Sequence, residues 1–541
     1  MTPQLPPSPT PSQGANSDAS SIDPLALTNN PETWGSIAQA LNAMANDTPN
    51  NYREAIQSGE GEKWHQAMME ELEKMEKYKV WKVVDRAPGQ RVLKARWVYT
   101  RKIDGTTGKP AAYKARWVAK GFSQKSGIDY NEVFSAVAHK DSIRVFLSLV
   151  NHLDMECDQV DIKAAFLNGD LEETIYLEAP EGSDIPANKI LLLNKSLYGL
   201  RQSPRCFNKA LDQWLKSQGL KPTRADPCFY VRHCEGELLM LSVHVDDQLI
   251  ACNSRKTLDE FKQKLNSKFE CSDSGPAGYF LGVNIYRDRT QKKLYLSQEH
   301  YMESLLEHFD MTSCNPAKTP LPSATVTRPD LAHAASVLSR FISKWNESHW
   351  LAAKHCLRYI RGTSDLSLVF DAHSSKQVAL GYVDADWGGD LNTRRSTTGY
   401  VFKVYGGVVA WKSKRQPTVA LSTTEAEYMA SADAAKQAIW LRLLFEDIGL
   451  GLGDQPFQLV NDNAGAIALS KNPVNHEKSK HIDMRHHFIQ EKVEDKTVPL
   501  AHVPSAENMA DLHTKALPTE LFTKLCNLLG MKRLDQGGVL E

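Results

Sequence analysis

The sequence has no apolar run approaching the ~18–20 residues that a membrane-spanning helix needs, so no such helix is expected. Its opening stretch, MTPQLPPSPTPSQGANSDASS, has no apolar centre and does not read as a signal peptide. Nine cysteines are scattered without one Cys-x-x-Cys, so neither a disulfide framework nor a closed zinc site is indicated. Net charge is scarce too: 64 Lys and Arg stand against 65 Asp and Glu. That balance excludes attraction of the whole chain to nucleic acid or to an anionic membrane; local patches would have to supply it. What is present is a globular composition, 41% hydrophobic and 24% charged, over 541 residues. That length predicts about three to five domains. A soluble, multidomain protein of a reducing compartment is the first expectation.

Local patterns divide the chain. Residues 1–50 are rich in Pro, Ser, Thr and Asn and predict a disordered tail. From Trp64 to Tyr78 apolar residues recur at helical spacing, with Glu71 interrupting the stripe. Between Arg91 and Lys125, ten Lys and Arg face one acid, Asp104. Two β-prone runs, ARWVYTRKI and YKARWVAKGF, flank the turn-forming DGTTGKP and predict a basic hairpin. Its interleaved Trp97, Tyr99 and Trp117 favour a phosphate-contacting surface over a merely solvated ribbon. A helical stretch is predicted from Pro329 to Tyr359, and a new αβ unit from about Val378.

Two sets of carboxylates stand out. In QVDIKAAFLNGDLEETIYL, Asp161 follows an alternating run. In LLMLSVHVDDQLIACN, two apolar runs surround Asp246 and Asp247, which predicts a hairpin with both acids at its tip. Acids are common in turns, but several converging on one point suit magnesium, which takes oxygen ligands. Between the two segments lies KSLYGLRQSPRCF, whose Tyr198, Gly199, Arg201 and Gln202 suit a flat base or a triphosphate.

The second set is C-terminal. VALGYVDADWGGD carries Asp384 and Asp386 on a strand, and TTGYVFKVYG and GVVAWKSK continue it as a meander. A helix follows through LSTTEAEYMASADAAKQAIWLRLLFEDIG, with Ser422 and Glu425 spaced as a capping box and Gly449 at its end. Glu427 shares a face with Ala430, Ala434 and Leu441, where a carboxylate is costly unless paired or metal-bound. Asp462 ends a strand in FQLVNDNAGAIAL and suits either a helix N-cap or a ligand. Glu507 and Asp511 fall four apart in VPLAHVPSAENMADLHTKAL, where spacing alone suggests a solvated helix. His481, His486 and His487 lack the partners of a zinc site and suit a basic, partly packed helix.

At these residues the sequence resembles the reverse transcriptase of copia-type long-terminal-repeat retrotransposons. YKARWVAKGFSQKSGIDYNEVFSAV, QVDIKAAFLNGDLEETIYL, KSLYGLRQSPRCF, ADPCFY, HVDD and YFLGVNI follow in that family's order. YVDADW, RRSTTGY, STTEAEYMA, NDN, KHIDMRHHFI and HVPSAENMADLHTK are similar to the copia-type RNase H. The resemblance implies a multidomain α/β and α+β chain, a right-hand polymerase of fingers, palm and thumb followed by an RNase H-like α/β domain. The implied boundaries are 51–322 for the polymerase, 323–377 for a shortened helical connection, 378–520 for the nuclease and 521–541 for a C-terminal tail. By the same resemblance Asp161, Asp246 and Asp247 are the palm ligands, and Phe166 screens the sugar 2′-hydroxyl. Lys114 and Arg116 meet the incoming triphosphate, Tyr198 and Gly199 hold the nucleotide, and Tyr279 to Val283 grips the primer. Asp384, Glu427, Asp462 and Asp511 are the nuclease ligands, with Asp386 the alternative to Asp384. Two Mg2+ ions per site are implied, with Mn2+ as the alternative ion. The implied partners are an RNA template, a DNA primer, an RNA–DNA hybrid, deoxynucleoside triphosphates and other retroelement polyprotein products, but no membrane. The implied setting is a cytoplasmic particle, the nucleus, or both.

The pattern departs from the family at three places. His244-Val245 replaces the usual Tyr-Val before the aspartate pair. SDSGPAG replaces an acidic approach to YFLGVNI. The junction around residues 322–327 lacks a stretch that the family usually carries. No zinc knuckle, protease or integrase is visible. Two functions fit: a polymerase with nuclease activity, or a catalytically impaired remnant that binds nucleic acid or partner proteins.

Overall fold

The computed structural model describes residues 48–103, 110–186, 188–320, 327–373, 378–450, 457–471 and 483–534. The expected tail lies outside these except for residues 48–50, as does the junction except for Thr327. Two compact units emerge. One comprises the described residues up to Gln124 together with Thr174–Leu200; the other comprises Lys125–Glu173 and the described residues from Arg201 onward. Among the described residues no helix is long and apolar enough to cross a membrane. None of the nine cysteines, all of them among the described residues, forms a disulfide.

In the first unit, helix α1 (Gly61–Lys77) buries Trp64, Ala67, Met68 and Met75 on one stripe. Glu71 joins that stripe instead of interrupting it, and burial raises its carboxyl above the usual range. Strands β1 (Ala95–Ile103) and β2 (Pro110–Ala119) pair antiparallel with Trp97 opposite Trp117. The predicted hairpin is therefore present, though its turn at 104–109 lies outside the described residues. Its aromatics, however, do not face solvent. Trp97, Tyr99 and Trp117 are buried, and the Trp64 ring stands edge-on to Tyr99 at 5.2 Å. Each such ring hides roughly 150–250 Å2, so core packing claims them, and they lend no support to the expected phosphate-contacting surface. Arg96 and Lys114 lie exposed between them, as the period of two requires.

The second unit begins with helix α2 (Lys140–His152). Strands β3 (Glu156–Ile162), β4 (Glu237–His244) and β5 (Asp247–Cys252) form the centre of a six-stranded antiparallel sheet, with β5 between the other two. Helix α3 (Arg255–Lys268) covers one face through Leu258, Phe261 and Leu265. A buried aspartate, Asp158, ties β3 to α3: both of its oxygens accept from the Arg255 guanidinium at 2.9 Å, and Lys262 also contacts it.

A second sheet crosses the boundaries expected from sequence. Tyr279–Phe280, Val283–Asp288 and Lys293–Ser297 are followed in it by Leu366–Asp371 and then Met531–Arg533, all antiparallel. Residues 521–534 are therefore not a tail. Helix Thr519–Leu529 packs Phe522 against Tyr359, and the strand after it covers the otherwise open edge of Leu366–Asp371. The connection contains helices α4 (Ala332–Ser339) and Glu347–Thr363, with a break between them.

The third sheet is mixed. Strands β6 (Ala379–Ala385), β7 (Thr397–Val404) and β8 (Gly407–Arg415) form the expected meander. Helix α5 (Thr423–Ile448) follows and ends at Gly449, whose φ of +74° suits a glycine cap. Strand β9 (Gln458–Asn461) runs parallel beside β6, helix α6 (Ala464–Lys471) follows, and β10 (Leu500–His502) pairs parallel with β9. The side chains of His481, His486 and His487 lie outside the described residues.

Candidate active sites

Strands β4 and β5 join through a two-residue turn, Val245-Asp246, with His244 opposite Asp247. Val245 holds a φ of +59°, a conformation unusual for a β-branched residue. On the other side Asp247 is directly opposite Asp161 of β3. Opposed residues bring their Cβ atoms within about 4.5–5.5 Å, so the two acids stand side by side with Asp246 in the adjoining turn. Burial raises the Asp247 carboxyl, and the charges of Asp246 and Asp161 raise it further. Phe166 lies just beyond Asp161 on a tight turn, Ala165–Asn168, half-buried against the core under β3. His244 is held more neutral by burial, against the pull of Asp246. Its Nδ1 has no hydrogen-bond partner among the described residues. Beside it is a cavity of about 440 Å3 bordered by Ala138, Leu147, Phe280 and Leu281.

Of the other nucleotide-site candidates, Lys114, Arg116, Tyr198 and Gly199 lie in the first unit and Gln202 in the second. Lys114 and Arg116 project from the same face of β2, and the Arg116 guanidinium lies 5.4 Å from the Tyr198 ring centre. Gly199 has a φ of +91°, and a Cβ there would lie 2.1 Å from the Ala119 carbonyl oxygen. Only glycine lets this turn approach β2 so closely. Gln202 departs from expectation: it is buried, and its amide donates to the Asp129 carbonyl at 2.8 Å. It packs its own unit, and no surface remains for a base.

The C-terminal acids come from four elements. Asp384 lies on β6, Glu427 on the first turns of α5, Asp462 just after β9, and Asp511 on a short 3-10 turn, Met509–His513. Asp384, Glu427 and Asp462 each offer an oxygen within 4.8 Å of the others. Asp511 adjoins them through Lys515, whose Nζ lies 3.0 Å from Asp511 and 3.6 Å from Asp384. Asp511 is buried, against the solvated-helix expectation, because two separate 3-10 turns replace the single helix. Gly399 makes this approach feasible: a Cβ there would meet Ala510 and His513 at 2.9 Å. Asn508 then ties the turn to β6, donating to the Val383 carbonyl at 3.0 Å.

Neighbouring residues take the structural work off the candidate ligands. Ser422 caps α5 by accepting from the Glu425 amide, while the Glu425 carboxylate accepts from Leu421 one residue before the cap. Asn463, not Asp462, caps α6, accepting from Ala466 at 2.9 Å. Asp386 accepts from the Thr397 amide and is absent from the three-acid group. Burial raises Glu427 most, followed by the charge of Asp384, while the amide of Asn461 opposes the shift at 3.1 Å. Burial and Asp384 likewise raise Asp511. Three buried or half-buried carboxyls around one point, with a fourth, Asp511, beside them, are costly without a cation. A donor set made only of carboxylate oxygens fits a hard divalent ion such as Mg2+ or Mn2+. Asn461, Asn508 and Lys515 were not foreseen; asparagine beside an acid and lysine four after Asp511 are too common to signal such roles.

Comparison with known proteins bears on these residues. Residues 78–323 match the family described as Reverse transcriptase (RNA-dependent DNA polymerase). The chain is 41% identical over 520 residues to a retrovirus-related Pol polyprotein from transposon TNT 1-94 of Nicotiana tabacum, covering 89% of this chain and 39% of that protein. It is 32% identical over 535 residues to the Pol polyprotein from transposon RE2 of Arabidopsis thaliana, covering 93% of this chain and 36% of that protein. A transposon Ty5-1 protein of Saccharomyces cerevisiae is 30% identical over 310 residues, 51% of this chain and 100% of that protein. The chain thus spans well under half the length of the two polyproteins.

Proposed function

The chain belongs to the copia-type retrotransposon Pol polyprotein family and carries its reverse transcriptase region; from that premise we propose that it is an RNA-directed DNA polymerase joined to an RNase H. The first unit then corresponds to fingers, and the six-stranded sheet to a palm. The observation that carries the polymerase reading is the Asp161–Asp247 pair across β3 and β5, with Asp246 in the adjoining turn. Three acids so placed would hold two divalent ions. When bound, such ions lower the barrier to attack by a primer hydroxyl and offset charge on the departing pyrophosphate. The chain's own residues do the rest. Lys114 and Arg116 draw in the triphosphate, Tyr198 and Gly199 hold the nucleotide, and Phe166 screens the sugar. The hairpin around Leu281 and Gly282 steadies the primer.

The nuclease reading rests on Asp384, Glu427 and Asp462, which reach one point from three elements, with Asp511 beside them across Lys515. These would hold the ions that serve RNA-strand hydrolysis, with Lys515 tempering the charge of Asp384 and Asp511. The test is purified protein given a primed RNA template, nucleotides and magnesium. Extended DNA together with shortened RNA is expected. Neither product at any magnesium or manganese concentration would leave only a nucleic-acid-binding remnant.

A further inference from the structure

Helix α2 is buried on every side. All residues from Arg144 to Asn151 are buried, a run of more than two turns, whereas a helix at a protein surface keeps one polar face in water. One side of it belongs with the polymerase sheet. Val145, Phe146 and Leu149 share a core with Met240 of β4 and with Leu249 and Ala251 of β5. The Phe146 ring lies 5.7 Å from that of Phe229 in the same sheet. Leu249 and Ala251 follow Asp247 at the period of two, so the face of β5 turned to this core is the face that carries Asp247. Leu249 stands only about 7 Å along the strand from that acid.

The other side belongs with the third sheet, and the polar groups of α2 find their partners there. Ser148 Oγ donates to the Val404 carbonyl of β7 at 2.9 Å, and Arg144 Nε donates to the Val409 carbonyl of β8 at 2.6 Å. The Arg144 guanidinium lies 3.9 Å from the Trp411 ring centre. Asp141, which pairs with Arg144, accepts from Gln437 of α5 at 3.1 Å. A guanidinium only 5% exposed needs such partners.

The seat is shaped for it. Phe402 is opposite Ala410 and Lys403 is opposite Val408, so Val409 is the extra residue of a β-bulge in β8. Bulges leave one residue outside the ladder and re-aim the strand, and Arg144 takes the carbonyl of that residue. Helix α5 is tied to the polymerase sheet as well: Trp440 Nε1 donates to the Ala225 carbonyl at 2.8 Å, and His233 Nε2 meets the Ile448 carbonyl at 2.7 Å. The match to reverse transcriptases ends at residue 323, but the core beneath β5 continues through Tyr400, Phe402 and Val409.

We propose that the third sheet is the structural partner of the polymerase centre: α2 seats on β7 and β8 through Arg144, and this seating sets the working position of β5 and its aspartate. Arg144 and Trp411 are then positioning residues for primer extension, although Trp411 lies on the sheet that carries Asp384. The proposal rests on the polymerase reading and names what supports that centre. The two carboxylate centres keep separate ligands and separate chemistry; what they share is one buried helix.

The test uses full-length protein with a primed RNA template in magnesium. Trp411→Leu and Arg144→Lys are each expected to lower kcat for extension by roughly tenfold, the scale of a small misplacement. KM for the deoxynucleoside triphosphate should stay at the wild-type value, since neither change removes a triphosphate contact. The double variant should be no slower than the worse single one, because both act through one contact. Trp411→Phe, which keeps an aromatic face under the guanidinium, should recover most of the rate. In amide hydrogen exchange, Trp411→Leu should loosen β5 around Leu249 together with β8. A wild-type kcat in Trp411→Leu overturns the proposal, as do multiplying losses in the double variant, a defect in KM alone, or loosening confined to β8. If Arg144→Lys does not fold, the two Trp411 variants decide by kcat and exchange. If wild type extends no primer, the polymerase reading fails first, and exchange at β5 in Trp411→Leu alone decides the seating.

Discussion

Burial and the neighbouring Asp384 raise the Glu427 carboxyl far above the ordinary range of about 4.3. The folded protein therefore keeps a proton there that the unfolded chain would release. Stability from this group is greatest below the unfolded value and falls as pH rises toward the folded one. Without metal, Glu427→Gln should be more stable than wild type at pH 8, by on the order of a few kcal/mol, and little different at pH 4. Thermal melts in a chelator at the two pH values check this. Equal melting temperatures at pH 8 would remove the electrostatic account. Adding magnesium should narrow the gap, because only the wild type gains a full ligand set. Glu427 was legible in sequence because a carboxylate on a face of alanines and leucines has no cheap explanation. Asp158 was not, since nothing near it announces that Arg255 and Lys262 return to it from another element. His244 was legible as a departure, and its surroundings add a reason to change it back. The cavity beside it leaves room for a larger ring, so His244→Tyr is expected to raise the rate of primer extension. An unchanged rate would show that this position does not limit the protein.

Among the elements, the β4–β5 hairpin was the most readable, because two β-rich runs around two acids leave few alternatives. The cost of its turn was not readable. Val245 at a φ of +59° stores strain beside the carboxylates. Val245→Gly should stabilise the protein by about 1 kcal/mol in denaturant unfolding, while loosening the acids and slowing extension. Faster extension would mean that the strained turn does not position them. The tie between β3 and α3 predicts the opposite behaviour. Asp158→Ala takes from Lys262, 11% exposed, its buried partner and leaves it Asp273 at 2.8 Å, and should cost about 1.5–3 kcal/mol. The basic ribbon shows where sequence reading stops. A period of two separates aromatics from cations, but it does not say which face meets helix α1 and which meets solvent. The buried Trp64 answers that, from a helix whose stripe was read separately.

At the scale of the molecule, domain boundaries were the least legible feature. A three-residue strand, Met531–Arg533, carries no sequence signal, yet it closes a sheet begun at Tyr279. Pairings between segments so far apart depend on which edges remain open after the nearer strands have paired. Removal of residues 519–541 should therefore destabilise the second unit as a whole, seen as protease sensitivity well upstream, near Leu366. The larger proposal is that one chain holds two separate carboxylate centres with different chemistry. Asp246→Asn and Glu427→Gln test it most directly when both activities are read from one primed RNA template in magnesium. The expected pattern is crossed: Asp246→Asn abolishes extension and spares cleavage of a preformed hybrid, while Glu427→Gln does the reverse. Loss of both activities in either well-folded variant would contradict two independent centres.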